Sequence, residues 1–301
     1  MKFIVPGYYK NFSCIASSCR HSCCIGWEID IDADTYSYYG TIDGELGDRL
    51  KKNIAVSGGQ PHFILDENER CPFLNENGLC DIIIQCGEES LCDICADHPR
   101  FRNFFSDRTE IGLGLCCEAA AELIINCDEP FKLEILDDDG FDDETDEDEK
   151  EILELRNFAL EVASDSKHSF EDRVNRLCKI FDIESDDTSP AVWADRLSSL
   201  ERLEPEWDNC LAFIGSRTEL EGSLINEKAA GNLLCYFIYR HLSAACDRED
   251  MRSRAAFAVL SCRVIFTLSL FISTEEAARM YSCEIEYSDE NLNEVLNLLC
   301  D

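Results

Sequence analysis

The chain has 301 residues, enough for about two domains. It carries 62 acidic against 27 basic residues, a formal net charge of -35 at pH 7. Because phosphate binding needs concentrated Lys and Arg, this balance argues against a nucleic-acid partner. It favours attraction of a basic, lysine-bearing protein, although solubility alone would explain the charge equally well.

The N-terminal segment lacks the features of a signal peptide. Its apolar run stops at Pro6 and Gly7, and no small-residue cleavage site follows. The most apolar long segment, 259–272, is interrupted by Ser261 and Arg263, so no membrane span is expected. We therefore expect a cytoplasmic protein, in which thiols stay reduced and disulfides are disfavoured.

Cysteines are concentrated in the first 130 residues, in short-spaced groups. Such spacing delivers several thiolates from neighbouring turns, as zinc or an iron–sulfur cluster requires, and spacing alone does not choose between these two. A C-x-x-C pair would also suit a thiol redox centre. The candidate metal ligands are Cys14, Cys19, Cys23, Cys24, Cys71, Cys80, Cys92, Cys95 and Cys117.

Two neighbouring pairs of thiols, Cys23–Cys24 and Cys116–Cys117, cannot easily serve one site each. Consecutive side chains point about 100° apart on a helix and to opposite faces on a strand. One member of each pair is expected to ligate, while the other packs or serves a second metal. His98 could ligate as well, or could orient the cluster from outside it.

Regular structure in the front part is predicted to be sparse. Residues 27–32 alternate apolar and acidic side chains, which predicts a half-exposed strand, and 62–66 predict a second. Helices are expected over 46–54 and 117–125. Because a metal can replace part of a core, we predict an irregular, cysteine-rich, metal-binding N-terminal domain over 1–136.

An acidic run over 137–149 cannot bury a core and predicts a linker or loop. Beyond it, apolar residues recur at three- and four-residue spacing, which predicts an α-helical domain over 150–301. Ser189-Pro190 and Ser273-Thr274-Glu275-Glu276 are typical of helix starts. The run 255–272 predicts a buried central helix, and the dispersed later cysteines are expected to pack in the core. The fold class is thus mainly α, in an α+β arrangement.

A set of ordered motifs resembles the flagellin lysine-N-methylase family of bacteria, and the front part resembles small proteins proposed to chelate zinc or iron. The matching stretches are Phe12-Ser13-Cys14, Cys19, Cys23-Cys24-Ile25-Gly26-Trp27, Arg70-Cys71-Pro72-Phe73-Leu74, Gly78-Leu79-Cys80-Asp81-Ile82, Gly87-Glu88-Glu89, Leu91-Cys92-Asp93-Ile94-Cys95, His98-Pro99-Arg100-Phe101-Arg102-Asn103, Cys117-Glu118, Tyr239-Arg240-His241 and Tyr281-Ser282-Cys283-Glu284-Ile285-Glu286-Tyr287-Ser288-Asp289-Glu290-Asn291.

The resemblance implies methyl transfer from S-adenosylmethionine to flagellin lysines, with a cysteine-bound 4Fe-4S cluster or zinc. His98 and Arg100, within one motif, become the candidate cofactor-binding residues. Where the family usually carries His, this chain has Tyr287. Two alternatives from other classes are a non-catalytic zinc- or iron-binding protein and a thiol redox sensor.

Methylation of an amine needs a deprotonated lysine, so carboxylates or tyrosines that could bind the incoming ammonium are the catalytic candidates. These are Glu88, Glu284, Glu286 and Tyr287.

Overall fold

A computed structural model describes residues 1–140, 146–184, 188–220 and 226–300. The elements, in chain order, are β1 (Lys2–Pro6), α1 (Ala33–Tyr39), α2 (Gly44–Asn53), β2 (Ile54–Ser57), β3 (Gln60–Phe63), α3 (Asp81–Cys86), α4 (Asp93–Asp97), β4 (Arg100–Phe104), β5 (Arg108–Leu113), α5 (Glu118–Ile125), β6 (Leu133–Asp138), α6 (Glu147–Ala163), α7 (Phe170–Phe181), α8 (Pro190–Ser198), α9 (Trp207–Gly215), α10 (Glu227–His241), α11 (Arg248–Leu268), α12 (Thr274–Tyr281) and α13 (Asp289–Leu298). The predicted α+β class is confirmed.

The chain divides into two compact units. We call Ser13–Arg100 the thiol-rich unit, and Met1–Phe12 with Phe101–Asp301 the helical unit. This division differs from the predicted domains 1–136 and 150–301. The reason is β1, which pairs in parallel with β5 and antiparallel with β6 in a sheet of order β4-β5-β1-β6. A strand at the centre of a sheet needs partners on both sides, and 108–113 and 133–138 supply them.

The predicted acidic linker is also revised at both ends. Asp137 of β6 pairs with Phe3 of β1. An acidic residue can occupy this strand because the backbone hydrogen bonds between strands do not require apolar side chains. Asp146 accepts a hydrogen bond from the N–H of Asp148, 2.9 Å away, and caps α6. Acidic residues are favourable in the first turn of a helix, where the dipole is positive. Residues 141–145 lie outside the described part of the chain.

The thiol-rich unit has short elements around a small core. The predicted strand over 27–32 is not formed, although Ile29 and Ile31 are buried and Asp30 is exposed, as the alternation predicted. The Ile29 carbonyl accepts a hydrogen bond from the N–H of Phe63 at 3.0 Å. The pairing of this segment with β3 is nevertheless limited to an isolated β-bridge between Asp30 and His62. The predicted strand over 62–66 coincides with only the end of β3, while the predicted helix over 46–54 is confirmed as α2.

The helical unit buries most of the chain's apolar side chains. The predicted buried helix is confirmed as α11, whose apolar residues pack against α10, and α5 confirms the helix over 117–125. Ser189 and Ser273 cap α8 and α12, as expected. Of the later cysteines, Cys246 and Cys300 are exposed, contrary to prediction, because each lies beside a helix end. None of the described helices is long and apolar enough to cross a bilayer.

A fully buried ion pair connects the sheet to the helices of this unit. Arg156 of α6 donates from both terminal nitrogens to the carboxylate of Glu110 of β5, each at 2.7 Å, and both side chains are 0 % exposed. One of these nitrogens also donates to the Ser243 hydroxyl at 3.0 Å. The guanidinium lies 5.4 Å from the ring centre of Tyr239.

We expect Arg156→Met to lower the free energy of unfolding by about 3–5 kcal/mol, because it leaves the Glu110 carboxylate charged and buried without its partner. The matched control is Arg248→Met, which breaks an ion pair with Glu151 whose side chains are 77 % and 57 % exposed. That control should cost at most about 1 kcal/mol. Urea unfolding of the full chain measures both, and equal losses would contradict the assignment.

Candidate functional site

The thiol-rich unit brings five of the predicted metal ligands into one neighbourhood, which we call the thiol cluster. Cys71 and Cys92 are buried in its core, and Cys24, Cys80 and Cys95 pack against the same core. Each thiol lies close enough to another for its charge to affect that neighbour's pKa. Motifs that lie far apart in sequence therefore converge here.

Backbone hydrogen bonds explain part of this convergence. The N–H of Cys71 donates to the carbonyl of Cys24 at 2.8 Å, which joins the first two cysteine groups. An isolated bridge between Leu74 and Cys80 then closes the following turn and returns the chain to the same place. These contacts involve the backbone, so the spacing of the cysteines alone could not specify them.

The C-x-x-C segment contributes a hydrogen-bonded pair of thiols at the start of α4. The N–H of Cys95 donates to the carbonyl of Cys92 at 3.0 Å, which makes a tight turn. The hydrogen bond between the two side chains lowers the pKa of Cys92 and raises that of Cys95. The first proton therefore leaves Cys92.

Cys24 is the other thiol of the cluster that ionises readily. A hydrogen bond from the Cys23 thiol lowers its pKa to about 7, against the opposing effect of burial. Burial instead raises the pKa of Cys71 to about 12, and also raises that of Cys80. The pKa values of Cys24 and Cys92 are thus lowered, whereas ionisation of the others would need a nearby positive charge, such as that of a metal ion.

Thiol donors suit zinc or an iron–sulfur cluster chemically. Within the described residues, however, no three Cys, His, Asp or Glu side chains form a group that could hold a metal ion. Cys14 and Cys23 are exposed, and Cys19 does not pack in the small core with the cluster. Cys117 belongs to the helical unit.

The two predicted cofactor-binding residues lie at the end of the thiol-rich unit. His98 is half-buried, and burial, followed by the charge of Arg100, lowers its pKa to about 4. Its ring is therefore neutral at pH 7, and its centre lies 6.4 Å from that of Trp27. Arg100 donates to the carbonyls of Ala96 and Asp97, each at 3.4 Å. Its guanidinium thus holds the end of α4.

The four predicted catalytic residues fall in different units. Glu88 is exposed on a short 3-10 turn, Glu88–Ser90, in the thiol-rich unit. Glu284 and Glu286 are buried in a π-helical turn, Ser282–Glu286, in the helical unit, and Tyr287 follows it. π-helical turns are rare in proteins, and those that do occur are often found at functional sites.

Glu286 is the centre of a buried polar network that we call the Glu286 cluster. One of its oxygens lies 2.6 Å from His241 Nε2, and both accept from the Tyr236 hydroxyl at 3.1 Å. Arg240 Nε lies 3.4 Å from the carboxylate, and its Nη1 donates to the Tyr236 oxygen at 2.8 Å. The N–H of Leu115 donates to the same oxygen at 3.3 Å.

The charges of this cluster balance. Burial opposes ionisation of Glu286, but Arg240 and His241 outweigh it, so the pKa of Glu286 lies below its ordinary value. Burial lowers the pKa of His241 in spite of the carboxylate. The cluster therefore holds a carboxylate, a guanidinium and a neutral imidazole, which donates from Nε2.

Tyr287 lies beside this cluster. Its ring centre is 4.7 Å from the Arg240 guanidinium, and its hydroxyl is hydrogen-bonded to the Cys116 thiol. Gly114 is required here, because a Cβ at that position would lie 2.0 Å from the Tyr287 oxygen. Burial raises the pKa of Tyr287 well above its ordinary value. The phenol stays neutral at pH 7, so it can donate a hydrogen bond but cannot act as a phenolate base.

Glu284 has a different environment. Its two oxygens accept the backbone N–H groups of Leu203 and Glu204 at 2.9 and 2.7 Å. Burial raises its pKa, although these two hydrogen bonds oppose the shift. The carboxylate thus fixes the segment that precedes α9.

No role was predicted from the sequence for Tyr236, Arg240 and His241. Two of them belong to the motif Tyr239-Arg240-His241, which was noted for its resemblance alone. The position of Tyr236 could have been predicted, because it lies four residues before Arg240 and therefore on the same face of the helix.

Comparison with known proteins gives three relatives at low identity. The lysine-N-methylase of Salmonella choleraesuis (strain SC-B67) is 28% identical over 136 residues, and that of Salmonella typhimurium (strain LT2) is 30% identical over 129. The flagellar biosynthetic protein FliU of Salmonella muenchen is 27% identical over 127 residues. Each match covers 40% of this chain.

The matched region is 32% of each lysine-N-methylase and 75% of FliU, so the chain spans about a third of the length of the first two relatives. No protein-family model matches the chain. No solved structure matches it either. The three relatives nevertheless confirm the resemblance read from the motifs: over 40% of its length, this chain is similar to two lysine-N-methylases and to FliU.

Proposed function

We propose that this chain is a protein-lysine N-methyltransferase that transfers a methyl group from S-adenosylmethionine to flagellin lysines. The observation that carries this proposal is the similarity to two lysine-N-methylases and to a flagellar biosynthetic protein. The net charge of -35 supports it, because a negative field attracts lysine-bearing proteins.

A zinc ion or a 4Fe-4S cluster is part of the proposal, and the thiol cluster supports it by donor chemistry. Cys24 and Cys92 would bind first because their pKa values are lowered. Cys71, Cys80 and Cys95 would follow as the metal stabilises their thiolates. When bound, the group would supply positive charge or electron transfer, and the chain's own part is to gather the thiols.

The candidate catalytic residues differ in the hydrogen bonding, protonation and exposure of their side chains. Glu284 and Glu286 have their carboxylate oxygens engaged by neighbours, which favours positioning roles. Tyr287 is a neutral hydrogen-bond donor beside Arg240. Glu88 has an exposed carboxylate that could receive an ammonium group. We propose His98 and Arg100 as cofactor-binding residues on the resemblance alone.

A thiol redox sensor is the second candidate function. The hydrogen bond between Cys92 and Cys95, with the lowered pKa of Cys92, suits reversible disulfide formation. A non-catalytic zinc- or iron-binding protein is the third, and it shares the thiol cluster. Metal, sulfide and thiol content after anaerobic purification separates the three: iron with sulfide, zinc, or metal-free protein with reversible disulfides.

We expect flagellin that is co-expressed with this chain to gain mass in whole methyl increments on lysine-containing peptides. The measurement is peptide mass spectrometry, and the control is the same strain without the chain. An unchanged mass, with the protein folded and its metal bound, would contradict the methyltransferase proposal.

We expect Cys71→Ser to weaken zinc or iron binding at least about tenfold and to destabilise the chain, since ligation free energy is also folding free energy. Cys262→Ser is the matched control, because this thiol is also buried but lies in the helical unit. Metal analysis after anaerobic purification is the readout. Equal metal loss in both variants would contradict the thiol cluster as the binding site.

A further inference from the structure

In the thiol-rich unit, α1 lies against the short segment Ser90–Asp93, which carries Cys92. Two residues of α1 and its cap contact this segment, one on each side of the thiol. Tyr39, the last residue of α1, binds the residue two positions before Cys92, and Asp32, the cap of α1, binds the residue directly after it. Neither Asp32 nor Tyr39 belongs to the motifs that predicted the metal ligands.

The hydroxyl of Tyr39 lies next to the thiol cluster. Tyr39 is 1 % exposed and packs in the same small core as Cys92. Its hydroxyl donates to the carbonyl of Ser90 at 2.9 Å. Burial raises the pKa of Tyr39, and the nearby thiols, above all those of Cys92 and Cys95, add to the rise. The phenol is therefore neutral at pH 7 and remains a hydrogen-bond donor.

The carboxylate of Asp32 joins the starts of two helices. Its Oδ1 accepts the N–H of Thr35 at 2.8 Å and caps α1. Its Oδ2 accepts the N–H of Asp93, the first residue of α4, at 3.0 Å. Cys92 occupies the cap position of α4, where a side-chain oxygen usually makes such a bond. A carboxylate from another helix supplies it here, so the thiol can serve another purpose.

These two contacts are more specific than core packing requires. The ring of Tyr39 already stacks on that of Phe63, with centres 6.2 Å apart. The hydroxyl adds a directed hydrogen bond to Ser90, and Asp32 adds another at Asp93. The backbone is thus fixed on both sides of Cys92. Metal sites depend on such groups, because a ligand must be held in the right orientation by the residues behind it.

We infer that Tyr39 and Asp32 are positioning residues for the Cys92 thiol, which they hold in the orientation in which it binds a soft metal ion. This assignment rests on the proposed metal-binding role of the thiol cluster. The two residues act through the backbone of Ser90 and Asp93 and do not bind the metal themselves.

The test is the affinity of the full chain for Zn²⁺, measured anaerobically by competition with a chromophoric chelator. Tyr39→Phe removes one oxygen and keeps the ring, and we expect it to weaken Zn²⁺ binding about tenfold, as loss of a group that orients a ligand usually does. Tyr281→Phe is the matched control, because this buried tyrosine of the helical unit also loses one hydrogen bond, to Ser261. Equal affinities of the two variants would refute the inference.

A second control separates positioning from stability. Ile29→Val mildly destabilises the same core and leaves the contacts to Ser90 and Asp93 in place. At a temperature where every variant is folded, it should bind Zn²⁺ as the unaltered chain does. Co²⁺ in place of Zn²⁺ adds a spectrum whose visible bands depend on the number and arrangement of thiolate donors. These bands should change in Tyr39→Phe only, and an equal change in Ile29→Val would overturn the inference.

Asp32→Ser tests the other contact. Serine also caps helices, so α1 keeps its cap, but the shorter side chain cannot hold Thr35 and Asp93 together. We expect Zn²⁺ binding to weaken about threefold to thirtyfold, the usual worth of a cap expressed as an affinity. Asp247→Ser, at the cap of α11, is the control and should have no effect. Unchanged affinity in Asp32→Ser would refute the assignment of Asp32.

The outcomes separate this inference from the proposals on which it rests. Loss of Zn²⁺ in Cys71→Ser but not in Tyr39→Phe would reject the inference and retain the metal site. Zn²⁺ binding that requires Tyr39, together with unmodified flagellin, would retain the inference and reject the methyltransferase. Failure of the unaltered chain to bind Zn²⁺ would overturn the inference and the metal site together.

Discussion

The buried ion pair between Glu110 and Arg156 is the constraint on which the helical unit depends. Taking two charges out of water costs several kcal/mol for each ion, so the pair is tolerated only with well-formed partners. Two bonds of 2.7 Å and the Ser243 hydroxyl provide them. The Tyr239 hydroxyl lies 3.3 Å from the carbonyls of Ile4 and Ile111, which fixes β1 and β5 against α10. The sheet, α6 and α10 must therefore assemble together.

The thiol-rich unit is stabilised differently. Its core is small, and the thiols of Cys71 and Cys92 occupy positions where a larger domain would place aliphatic side chains. Burial raises the pKa of Cys71 to about 12, so this thiol is protonated at pH 7 and packs as a small apolar group unless a metal binds it. Binding of a soft cation would convert these packed thiols into ligands and add its binding energy to folding.

The helical unit contains two buried polar features whose hydrogen bonding is opposite. In the Glu286 cluster the carboxylate accepts hydrogen bonds from His241 and Tyr236. A buried network whose polar groups are all hydrogen-bonded holds its side chains in one arrangement. The Tyr8 hydroxyl, by contrast, is buried and has no hydrogen-bond partner within the described residues.

The sequence by itself determined the elements whose signals are local. The cap at Ser189 and the apolar period of α11 depend on residues within a few positions of each other. Both predicted helices are present, although α11 begins at Arg248 and ends at Leu268 where 255–272 was predicted. The resemblance to lysine-N-methylases was also readable, because motifs are contiguous. Tertiary structure decided the rest: β1 joined strands more than 100 residues away, as in the pairing of Phe3 with Thr109, and this moved the domain boundary. It also decided that Glu284 binds backbone N–H groups and that the Tyr8 hydroxyl has no hydrogen-bond partner in the described part of the chain, since pairing between distant groups is set by the packing of the whole chain and leaves no local pattern.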